Sequence, residues 1–95
     1  MDSKRKSRRK TFARAVAQVA RKYVPPSSTH RWISSASCSV PVAELQLITR
    51  GGRDARVFRE AEIADLMSKP PDQFESHIAS IAYKLAAALG VEVPA

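Results

Sequence analysis

Lys4, Arg5, Lys6, Arg8, Arg9, Lys10 and Arg14 crowd seven cations into one short stretch, and no acid follows Asp2 until Glu44. The chemistry this density suits is neutralisation of a polyanion. Each phosphate contacted releases condensed counterions, so a cationic segment gains affinity without shape complementarity. Arg21 and Lys22 prolong the run. Arg50, Arg53 and Arg56 surround a Gly-Gly turn, and would extend the patch if that hairpin tip lay beside the N-terminal arm. Gln18 is the only amide side chain within the basic segment, so the expected contacts are to the phosphate backbone and not to base edges.

Other chemistries find less support. His30, Cys38 and His77 match no zinc-ligand spacing, and no second ligand stands at a close offset. His77 falls one position off an apolar helical stripe and reads as a partly buried structural histidine. Ser34, Ser35, Ser37 and Ser39 alternate with small residues, outside any nucleophile-elbow context and without an acid–base partner. The segment Arg50–Arg53 is too short for a phosphate-cradling loop and lacks its Lys-Ser/Thr signature. The expectation is a protein that is not an enzyme and needs no cofactor or metal. The lone cysteine excludes an internal disulfide framework.

The elements that position these groups follow from periodicity. The 95 residues make one domain, with residues 1–9 expected as a disordered basic arm and 10–95 as a single folded unit. Phe12, Val16, Val19, Ala20 and Tyr23 recur on one helical face, which predicts a helix from about Lys10 to the Val24-Pro25-Pro26 stop. Beyond a Pro/Ser linker over 25–29 the period becomes two. Trp32-Ile33 opens one strand, and Val40, Val42, Leu45 and Leu47 form another. Leu45 to Thr49 and Arg56 to Arg59 flank the turn RGGRDA, with Leu47 expected near Phe58 and Ile48 near Val57. Ile63, Leu66 and Met67 form the inner face of a short helix closed by Pro70-Pro71. Asp72 with Glu75 reads as a capping box. Phe74, Ile78, Ile81, Leu85 and Leu89 then give the spine of a long helix that stops at Gly90.

The class expected is α+β: an N-terminal basic helix, a two- or three-stranded antiparallel sheet with a Gly-Gly hairpin, a short helix, and a long C-terminal helix packed on one face. This α-β-β-β-α order resembles that of double-stranded-RNA-binding domains. Where those domains carry a basic cluster at the start of the last helix, this chain reads PPDQFES, and membership does not follow.

Charge is segregated along the chain, with a basic start, a mildly basic middle and an acidic end from Glu60 onward. That asymmetry implies a contact pole. The leading functional expectation is a non-enzymatic binding protein that engages DNA, RNA or a nucleoprotein complex through residues 4–22. The alternative is a small phage-type inhibitor or adaptor that occupies a host protein complex and blocks its nucleic-acid or partner surface. Opposed poles would also suit a homodimer. No apolar run approaches the ~20 residues that span a bilayer. With no signal-peptide pattern, a cytoplasmic location without membrane contact is expected.

Overall fold

Lys, Arg and Ala are strong helix formers, and no Gly or Pro interrupts residues 2–23. In the computed structural model, which describes residues 2–23, 28–36 and 42–92, these residues make one helix, α1, Asp2–Tyr23. The arm expected to be disordered over 1–9 is thus, from Asp2 onward, the beginning of α1. Phe12, Ala13, Val16, Ala17, Val19 and Ala20 are buried on its inner face.

Three strands follow, β1 (His30–Ala36), β2 (Val42–Thr49) and β3 (Gly52–Arg59), in the antiparallel order β1-β2-β3. Alternation decides which way each side chain faces. Trp32, Ala43, Leu45, Leu47 and Phe58 are buried on one side, and every helix packs there. Ser34 shares that side and donates from Oγ to the carbonyl of Ala13 at 2.7 Å, tying β1 to the middle of α1.

The hairpin is tighter than expected. Thr49 pairs with Gly52, leaving only Arg50 and Gly51 as the turn. Leu47 consequently opposes Asp54, and Phe58 opposes Ala43. The strand slides by four positions from the expected register. An even slide keeps each residue on its own face, so Phe58 still reaches the core. Its large ring opposite small Ala43 sits edge-on to Phe12, with centroids 5.0 Å apart. Only Gly52 takes the positive φ expected of both glycines, at 151°.

Helix α2 (Glu60–Met67) buries Ile63 and Leu66, while Met67 is turned outward. Helix α3 (Pro71–Ala88) starts with proline at its first position, where the missing N–H costs nothing. That start places Asp72 inside the helix with no side-chain cap, so the expected capping box does not form. The C-terminus is a Schellman motif, in which Gly90 at φ 71° donates to Ala87 and Val91 donates to Ala86. Ile78, Ile81 and Leu85 are buried, with Phe74, Leu89 and Val91 packed at the rim of the core. His77 is exposed. Cys38 lies outside the described residues.

Candidate nucleic-acid interface

The acids of the C-terminal half divide the cations of α1 and β3 into two groups. Glu60 stands 3.7 Å from Arg8 and accepts from Arg9 at 3.5 Å. Arg9 is only 5% exposed, so this residue of the expected contact set is a buried structural cation. Lys22 donates to Glu75 at 2.9 Å. That bond and the Glu75 charge hold the Lys22 ammonium above its ordinary pKa. Arg56 forks onto Glu62 at 2.6 and 3.1 Å, with its guanidinium 4.9 Å from the centroid of the Phe58 ring. Bidentate geometry of this kind holds a guanidinium in place. These four cations already have a carboxylate.

Lys10, Arg14 and Arg21 are different. They are exposed and make no ion pair among the described residues. With Gln18 they form one stripe along α1, and at 1.5 Å per residue it is about 16 Å long. The stripe walls an open groove of about 430 Å³ between α1 and β1. Ala13, Ala17 and Ala36 form its floor, and Ser34 and Ser35 its far side. Small floor residues let a polymer backbone approach, and the exposed Ser35 hydroxyl supplies a further donor to anionic oxygens, while that of Ser34 is spent on the Ala13 carbonyl.

The remaining expected residues scatter. The side chains of Lys4, Arg5 and Lys6, on the first two turns of α1, lie outside the described residues. Arg50 is in the hairpin turn and Arg53 is on the sheet. The tip does not lie beside the start of α1. Arg9 meets Glu60 next to Arg59, at the opposite end of β3 and roughly 23 Å away along the strand. Sequence reasoning overlooked Arg31 and Arg59, both exposed and without an ion pair among the described residues. Strand alternation, read with the register in hand, puts them on the same side of the sheet as Arg53.

Among the described residues no group of His, Cys, Asp or Glu could share a metal ion, and no helix is long and apolar enough to cross a membrane. Compared with protein-family models, curated proteins and solved structures, the chain matches none.

Proposed function

We propose that this protein is a non-enzymatic nucleic-acid-binding domain whose helix α1 tracks a phosphate backbone with Lys10, Arg14 and Arg21. One observation carries the reading. Three carboxylates engage Arg8, Arg9, Lys22 and Arg56, yet leave this stripe unpaired beside a groove floored by alanines. An unpaired exposed cation is free to neutralise a phosphate, and the counterions condensed on the polyanion are then released, which favours binding. Contacts of this type position a strand without reading its sequence, so discrimination among sequences is weak.

Deleting the basic segment would remove Phe12 and Val16 from the core, so point substitution is the suitable test. Lys10→Gln/Arg14→Gln/Arg21→Gln should keep the fold while making the log–log salt slope shallower by about 2 on single strands, at roughly 0.7 per phosphate. An unchanged slope would refute the assignment. A slope near zero in the unsubstituted protein, together with a stoichiometric complex with one acidic protein, would favour the inhibitor or adaptor reading instead.

A further inference from the structure

The helices cover one side of the sheet, and among the described residues nothing covers the other. Read across β1, β2 and β3, its rungs are Arg31–Ile48–Arg53, Ile33–Gln46–Ala55 and Ser35–Glu44–Val57, with Val42–Arg59 completing it. None of these residues is buried. Ile33, Val42 and Ile48 are half-covered by their neighbours, and Val57 is 41% exposed. Arg31, Arg53 and Arg59 have no ion pair among the described residues. Glu44, the carboxylate on these rungs, accepts from the Gln46 amide.

An aliphatic floor set between unpaired guanidinium groups suits a particular occupant. A second copy fits poorly, because stacking two such faces would gather six arginines against two carboxylates. A duplex fits poorly too. Its bases are stacked away, and its phosphates would press on Ile33 and Ile48, which offer them nothing. An unpaired base has apolar faces for the aliphatic floor, a π-surface for a guanidinium plane and polar edges for the Gln46 amide. Arg31 and Arg53 flank Ile48 at two strand spacings, roughly 10 Å between backbones. Ser35 belongs both to this side and to the groove beside α1, so the two surfaces meet at the edge of β1.

We infer that the bare side of the sheet holds the unpaired bases of a single-stranded nucleic acid whose backbone lies along the α1 groove. This rests on the proposed function and narrows its ligand to single strands over duplexes. No aromatic residue is on this face among the described residues; Trp32 and Phe58 point into the core. Stacking therefore falls to guanidinium groups.

The test compares fluorescence anisotropy of a short oligothymidylate with that of a duplex of equal phosphate number, for the unsubstituted protein and three variants. Arg31→Gln/Arg53→Gln should weaken single-strand binding with little change in the salt slope, because stacked bases and not phosphate contacts are lost, and leave duplex binding almost unchanged. Lys10→Gln/Arg14→Gln/Arg21→Gln should weaken both. Ile48→Lys separates charge from floor: it should weaken single-strand binding although it adds a cation, and leave duplex binding almost unchanged. A gain on both ligands with Ile48→Lys would overturn the inference, as would equal losses on both with the double arginine variant. Polyglutamate binding to the unsubstituted protein as tightly as an oligonucleotide of equal charge, with the same loss in the double arginine variant, would assign the face to an acidic protein and overturn it too. Absence of binding to either nucleic acid would remove the proposed function itself, whereas binding that ignores only the sheet variants removes this inference alone.

Discussion

Arg9 and Glu60 offer an asymmetric test of the fold. Arg9 is 5% exposed, its contact with Glu60 is long at 3.5 Å, and Arg9 Nε and Glu60 Oε1 have no hydrogen-bond partner. The pair is held by charge more than by geometry. At such a separation two unit charges attract by about 5 kcal/mol when the effective dielectric constant is ~20, which offsets much of the desolvation of Arg9. Glu60→Gln removes that offset and leaves a buried cation. Breaking a buried pair in this way costs about 3–5 kcal/mol, and the quarter exposure of Glu60 lowers the expectation to about 2–4 kcal/mol. Arg9→Met keeps the aliphatic stem and removes the desolvated charge, while Glu60 retains Arg8 at 3.7 Å. Its cost should be about 1 kcal/mol or less, and Arg9→Met/Glu60→Gln should resemble it. Equilibrium urea unfolding with unchanged m-values reads all three against a total stability of about 5–15 kcal/mol. A Glu60→Gln cost no larger than that of Arg9→Met would refute the reasoning. Nucleic-acid affinity lost on Arg9→Met without loss of stability would return Arg9 to the contact surface.

Ile78 is fully buried and Ile81 is at the 9% margin, so Ile78→Ala should cost about 2–5 kcal/mol and Ile81→Ala the lower end of that range. Urea midpoints of equal depression would place the core axis of α3 wrongly. Glu75→Gln frees Lys22, next to Arg21 on α1, and the salt slope of nucleic-acid binding should steepen by about 0.7 on single strands. Stability should barely change, since the pair is exposed.

Local pattern carried the fold further than it carried the site. The α3 spine was legible because five apolar residues repeat at helical period, and Gly90 stands where a left-handed residue must end the helix. Which residues of β2 and β3 face inward was legible from alternation. Their pairing was not, because turns of two or six residues around Gly51 and Gly52 bury the same side. Charged groups were harder still. Glu75 looked like a cap for its own helix, yet it bonds to Lys22, 53 positions away in the chain. Arg9 looked like its basic neighbours until Glu60, 51 positions on, enclosed it. Spacing records which residues are cationic, but long-range folding decides which of them remain unpaired.

β3 ends the sheet, with a row of backbone groups that no further strand satisfies among the described residues. Edges of this kind invite addition of a strand from another chain. Here Arg53, Asp54, Arg56 and Arg59 occupy half of the eight positions and act as gatekeepers against that addition. Such protection is electrostatic and not steric, so it fades wherever salt screens the arginines or a bound polyanion neutralises them. Molecules crowded along one strand would then meet with their guard lowered, edge toward edge.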